Sequence, residues 1–299
     1  MRIGNDGLPV IPVKVHSYRK TLLLRYYINP LTLILSKRFT RTCYIDGFSG
    51  PGRVLFKGTL FELDGSPLIA LKAKPGFTDY VFCEKDRRFR NALELRADAY
   101  TVNRNVTVWP AQDFNQVAPS IIKRIPTGWH VFAFLDPFGL ELNWTTVETV
   151  SSVPHRELII NISAGLFRCA SSSHTQDTVD RVMGMHDDWS LYDSKELLAL
   201  YKTNVGALGF EHVRDYPVRG NRGPIYYLIL ATNSPTAVKI VGQRMSEVNL
   251  TGVTHLQLMV EREAGRLSTL DDFIETPQTK LDAFTAQSES ELRPPHLHQ

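Results

Sequence analysis

Four β-prone runs, each ending at or just short of an acid, limit what this chain can fold into. Thr42-Cys43-Tyr44-Ile45 runs into Asp46 and Tyr80-Val81-Phe82-Cys83 into Glu84. Val106-Thr107-Val108-Trp109 stops just before Asp113, and Val131-Phe132-Ala133-Phe134-Leu135 runs into Asp136. Helix-prone stretches separate them. Such alternation builds a mostly parallel sheet whose strand ends share one edge, where a ligand crevice forms. The first run says most, because Asp46 is followed by Gly47, Phe48, Ser49, Gly50, Pro51 and Gly52. Glycines let backbone approach a ligand closely, and the acid can bond its polar or cationic end. A tight turn that holds no ligand would use the same residues.

The rest of the pattern is α/β. Residues 17–36 are spaced for a helix with one apolar face, which Pro30 is expected to break or kink. Residues 53–64 form an excursion after the glycine turn. Ser66-Pro67 then reads as an N-cap followed by proline at the first helical position. Strands are expected at 79–84, 105–109 and 130–135, with helices at 86–97, 115–124 and 144–151. Leu158-Ile159-Ile160-Asn161-Ile162 suits a strand buried on both faces. Residues 165–190 look like an irregular insertion, and a helix at 194–208 follows. Segments 210–218 and 225–232, joined by a short turn, read as an antiparallel hairpin. A helix at 236–248 and a polar tail, disordered after about 277, complete the chain. The expected organisation is an N-terminal helical extension (1–41), an α/β domain (42–250) and a C-terminal extension (251–299).

Charge and cysteines narrow the classes. A net charge of +3 is too small to argue for nucleic acid by itself. Lys14, Arg19, Lys20, Arg25, Lys37, Arg38 and Arg41 nevertheless cluster where Asp6 is the sole acid. That segment is either a solvated helix face or a phosphate-contacting surface, in which Arg19, Lys20 and Arg25 would touch substrate. Cys43, Cys83 and Cys169 are too scattered for a disulfide framework or a zinc site. No apolar stretch approaches the ~20 residues of a membrane span, and no signal-peptide pattern opens the chain. A soluble, cytoplasmic protein without a bound metal is therefore expected. Nothing sets a histidine beside an acid and a Ser or Cys nucleophile, which argues against a hydrolase triad.

Tyr44–Gly52, Gly65–Leu71, Phe82–Asp86, Phe134–Gly139 and Leu158–Ser163 together resemble the three-Cys-motif partner family, TcmP, in order over about residues 17–250. The resemblance implies a Rossmann-like class I methyltransferase fold: seven mostly parallel strands with a C-terminal antiparallel hairpin and helices on both faces. It also implies an S-adenosylmethionine (AdoMet) site and a partner protein that carries three cysteines. A dinucleotide dehydrogenase would instead continue parallel at the C-terminus.

On that resemblance, Asp46, Gly47, Ser49, Gly50 and Gly52 hold the amino-acid end of AdoMet. Glu84 accepts from the ribose hydroxyls, with Asp86 competing for that role, or else caps a helix. Asp113 accepts from the adenine amino group beside Phe114, or else caps helix 115–124. Asp136, Pro137 and Phe138, followed by Gly139, resemble the Asp-Pro-Pro-aromatic signature of methyltransferases that act on amino groups of nucleic-acid bases. There the acid accepts from the target amine and the aromatic stacks on the base. The second proline is missing here and the aromatic comes one position early, so a plain Pro-Phe-Gly turn stands as the alternative. Asn161 and Ser163 end the fifth strand, where they either line the crevice or sit buried and hydrogen-bonded. The implied function is AdoMet-dependent methyl transfer to an amino group, with a non-catalytic accessory protein of the same fold as the other reading.

Overall fold

The computed structural model describes residues 2–57, 61–220, 223–246 and 248. The chain begins with β1 (Arg2–Ile3), β2 (Pro9–Val13), α1 (Val15–Ser36), β3 (Thr42–Asp46), β4 (Arg53–Phe56) and β5 (Glu62–Asp64). Next come α2 (Ser66–Lys72), β6 (Asp79–Phe82), α3 (Arg87–Ala97), β7 (Asn105–Val108), α4 (Phe114–Ile122), β8 (His130–Leu135) and α5 (Trp144–Ser151). The described elements finish with β9 (His155–Ser163), α6 (Gly165–Ala170), α7 (Gln176–Met183), α8 (Ser194–Ala207), β10 (His212–Gly220) and β11 (Gly223–Thr232). Residues 235–246 are helical.

Seven strands form the central sheet in the order β10-β11-β9-β8-β3-β6-β7. β3 pairs in parallel with both β8 and β6, setting Thr42–Asp46 beside His130–Phe134. β11 pairs antiparallel with both β10 and β9, so it alone runs against the other strands. The chain reverses direction across the sheet between β3 and β8, and a crevice opens at such a switch point. The fold is α/β, with the expected seven mostly parallel strands and C-terminal antiparallel hairpin.

The pleat sorts side chains into two cores. Cys43, Ile45, Val131, Ala133, Leu158 and Ile160 face one layer, packed by α4 to α8. Tyr44, Tyr80, Phe82, Phe132 and Phe134 face the other, covered by α1, α2, α3 and helix 235–246. Tyr44 stands in register with Tyr80 and Phe132, their ring centroids 6.3 and 5.8 Å away. Cys43 and Cys83 are buried as small apolar side chains.

The structure corrects several sequence expectations. α1 runs through Pro30 without ending. Leu23, Leu24, Tyr27 and Ile28 before the proline, and Leu31 and Leu35 after it, are all buried, and their packing outweighs the roughly 3 kcal/mol a helical proline costs. Residues 1–41 are not only helical: they and the 53–64 excursion both contribute strands to a four-stranded sheet, β1-β2-β4-β5. Its β2–β4 pairing joins Ile11 to Val54, a separation that no local periodicity reveals. The buried Arg96 of α3 fastens it to the glycine turn. It donates to Asp6 at 2.8 Å and to the carbonyls of Pro9 (2.9 Å) and Pro51 (2.5 Å). Arg96 also holds the Asp6 carboxyl down at about 2. Residues 165–190 are ordered by α6 and α7, which bury Leu166, Val179, Val182 and Met183, with Trp189 beneath them. The expectations for residues 251–299 lie outside the described residues.

Candidate active site

Asp46 ends β3 with no solvent exposure. Phe82 and Phe134 are its cross-strand partners, so the carboxylate stands between aromatic side chains. The Phe48 N–H donates to it at 3.3 Å and the Tyr44 hydroxyl at 3.4 Å. Burial raises its pKa to about 7, the Ser66 hydroxyl bond opposes the rise, and the Asp136 carboxylate adds to it. Ser66 is therefore a site residue. It is not the N-cap expected from sequence, since Gly65 takes that place and Pro67 falls one position later in the first turn.

The glycine turn folds over this acid. Gly50 and Gly52 have φ of 61° and 85°, left-handed values that favour glycine. Ser49 donates to the Asp46 carbonyl at 2.9 Å. A Cβ at Gly47 would stand 2.5 Å from the Phe114 ring, so glycine is required there for close packing.

Strand β6 ends at Phe82, so Glu84, expected as the last residue of a 79–84 strand, sits in the loop two residues past its end. Glu84 accepts from the Gly50 N–H at 2.9 Å and the Asp86 N–H at 2.7 Å, which ties the glycine turn to the second strand. Burial raises its pKa against those two bonds. Asp86 caps α3. Asp113 caps α4, accepting from the Asn115 N–H at 2.8 Å, and buried Phe114 packs edge-on to Phe48 at 5.9 Å. Asp46, Glu84 and Asp113 thus follow β3, β6 and β7, three neighbouring strands of one sheet edge.

Asp136 follows β8 and meets residues that the sequence scatters. The Nζ of Lys20, on α1, forms an ion pair with its carboxylate. Asn161 of β9 donates its amide N–H to Asp136 at 2.8 Å. That bond fixes the amide orientation, since the reverse would set oxygen against carboxylate. The Asn161 Oδ1 is left buried with no hydrogen-bond partner among the described residues. Tyr226 of β11 lies opposite Ser163, and the Lys20 ammonium stands 5.3 Å from its ring centre. Pro137 is buried, whereas Phe138 is 89% exposed.

The three basic residues expected to contact substrate are placed differently from one another. Arg19 donates to the Arg219 carbonyl at 2.7 Å, bracing α1 against the β10–β11 hairpin. Lys20 lies within the crevice. Arg25 is half exposed, 3.9 Å from Asp64. Sequence reading missed Ser66, Tyr226 and the pairing of Lys20 with Asp136. His186 pairs with Asp180 at 2.7 Å. No group of three metal-ligating side chains occurs among the described residues, and no described helix is long and apolar enough to cross a membrane.

No protein-family model and no curated protein matches the sequence. Among solved structures, the chain is similar to protein LPL1258 from Legionella pneumophila, with TM-score 0.49, 13% identity, and coverage of 74% of this chain and 88% of that one. It is also similar to Trm1 from Pyrococcus horikoshii in complex with S-adenosyl-L-methionine: TM-score 0.46, 8% identity, 80% of this chain and 63% of that one. A third is M. jannaschii TYW2 in complex with AdoMet, with TM-score 0.35, 8% identity, and coverage of 69% and 73%. At these scores they bear on nothing beyond a general likeness of shape.

Proposed function

We propose that this protein is an AdoMet-dependent methyltransferase that acts on an amino group, with a nucleic-acid base as the substrate class. The observation that carries this reading is the pair of acceptors at the ends of β8 and β9. Asp136 already holds an amine there, and the neighbouring Asn161 Oδ1 is a buried acceptor without a donor. An unpaired buried acceptor costs on the order of 1–3 kcal/mol, and a target amine that donates to both groups would recover it. Those two bonds would orient the amine's lone pair toward the methyl sulfonium, so catalysis is chiefly positioning. Exposed Phe138 offers a ring to stack on a base.

Asp46, Gly47, Ser49, Gly50 and Gly52 would hold the amino-acid end of AdoMet, with Ser66 orienting Asp46. Glu84 would receive the ribose hydroxyls on lone pairs left by the Gly50 and Asp86 N–H groups. Asp113 and Phe114 would bound the adenine. When bound, AdoMet supplies an electrophilic methyl group on a positively charged sulfur. A dehydrogenase is disfavoured by antiparallel β11.

Calorimetry with AdoMet, S-adenosylhomocysteine and NAD tests the cofactor, and absence of binding at millimolar S-adenosylhomocysteine overturns it. Radiolabelled methyl transfer to total RNA, DNA and protein tests the substrate. Asp136→Ala is expected to abolish labelling while cofactor binding persists, and labelling of protein alone excludes the nucleic-acid assignment.

One observation favours a second reading. Lys20 fills the acceptor from within, as it would in an accessory protein that keeps the fold and docks a three-cysteine partner. Cofactor binding with no labelling, with or without such a partner, would select it.

A further inference from the structure

The amine that Asp136 holds belongs to the chain itself. We infer that Lys20 is a methyl acceptor in cis: with AdoMet bound, the protein methylates its own Lys20 Nζ. This inference rests on the methyltransferase reading and names one substrate of that same site.

Four observations converge on Lys20. Its Nζ is paired with the carboxylate proposed to receive target amines. The side chain is 19% exposed and Asp136 15%, so the pair lies inside the crevice and not on an open surface. The helix that presents it is braced on both sides. Arg19 is bonded to the Arg219 carbonyl at 2.7 Å, and Leu22, Leu23 and Leu24 are buried. The fourth is the Tyr226 ring at 5.3 Å, an aromatic face that attracts an ammonium and goes on attracting it as methyl groups replace its hydrogens. Asp46, whose carboxyl feels the Asp136 charge, puts the proposed cofactor end and the acceptor end of the site within electrostatic reach.

The step balances without a further reactant. The ammonium gives one proton to Asp136, which passes it to water. The freed nitrogen lone pair attacks the methyl carbon, the carbon–sulfur bond breaks toward sulfur, and the neutral thioether S-adenosylhomocysteine leaves. The methylated nitrogen emerges as a cationic methylammonium with two hydrogens left, and it remains paired with Asp136.

The test uses the full chain, deuterium-labelled AdoMet and peptide mass spectrometry, with cofactor binding measured by calorimetry on the same sample. The expected result is labelled methyl on Lys20, or unlabelled methyl already present there in the purified protein. Asp136→Asn should cut the incorporation rate by about a hundredfold, the loss typical of a positioned acid–base group, while still binding cofactor. Lys20→Arg should carry no methyl at position 20. Bound cofactor with an unmodified Lys20, or methyl only on other residues, overturns this inference and leaves the methyltransferase reading standing. No cofactor binding at all overturns both.

Discussion

Asp46 on β3 and Glu157 on β9 stand on either side of β8 in the same sheet, and burial raises both pKa values to about 7. Their surroundings separate them. Glu157 takes a hydroxyl donor on each oxygen, Tyr27 from α1 on one and Thr232 from β11 on the other, the latter at 2.6 Å. It is a closed arrangement that fastens α1 across the sheet. Asp46 accepts from Tyr44, Phe48 and the Ser66 hydroxyl, and a second carboxylate, Asp136, acts on it. A raised carboxyl pKa therefore does not mark function by itself. The acid beside glycines and a second acid is the one placed to serve a ligand.

The largest expected effect comes from breaking the closed site. Glu157→Ala strands two buried hydroxyls and should cost about 3–5 kcal/mol in chemical denaturation, whereas Asp46→Asn should cost under about 1 kcal/mol. Equal costs would erase the distinction between the two acids.

The pH dependence of stability comes next. Both groups ionise near 4 when unfolded and at about 7 when folded, so the native state holds protons that the unfolded chain releases. Their contribution is complete below about pH 4, falls as pH rises toward 7, and is lost beyond it. Relative to the Asp46→Asn/Glu157→Gln double variant, the wild type should lose stability between pH 4 and 8, by up to roughly 7 kcal/mol at about 1.4 kcal/mol for each pH unit separating the folded and unfolded values. A loss carried entirely by Glu157 would show Asp46 to be charged throughout. Asp6, held at about 2 by Arg96, acts with the opposite sign, its contribution vanishing as pH falls from about 4 toward 2.

Glu84→Ala should weaken S-adenosylhomocysteine binding by about 1.5–3 kcal/mol in calorimetry, through lost charge-assisted bonds. Unchanged affinity would leave Glu84 only its observed role of tying the glycine turn to β6. The smallest effect belongs to Arg25, half exposed and at 3.9 Å from Asp64. Arg25→Ala should change stability by less than about 0.5 kcal/mol. If Arg25 contacts phosphate, the same variant should lower the salt slope of nucleic-acid binding by about one unit.

Sequence alone determined the main sheet, because alternation of strand and helix and the period of two are local properties. The ranges 130–135, 144–151 and 42–46 are found as read, and the hairpin at 210–232 runs antiparallel as expected. It also determined which acids share the sheet edge, since strand direction dictates where each run ends. What the neighbours of those acids are was decided only by tertiary structure. Asp113 and Asp86 could not be assigned between ligand and helix cap from spacing, and the folded chain shows both capping. The small β1-β2-β4-β5 sheet was invisible because its strands are two to five residues long and gain stability only from distant partners. Lys20 read as one basic residue among several on a helix. Its place in the crevice depends on where α1 crosses the sheet, which is set by packing against Tyr44, Phe132 and Leu228 and is written in no single segment of the chain.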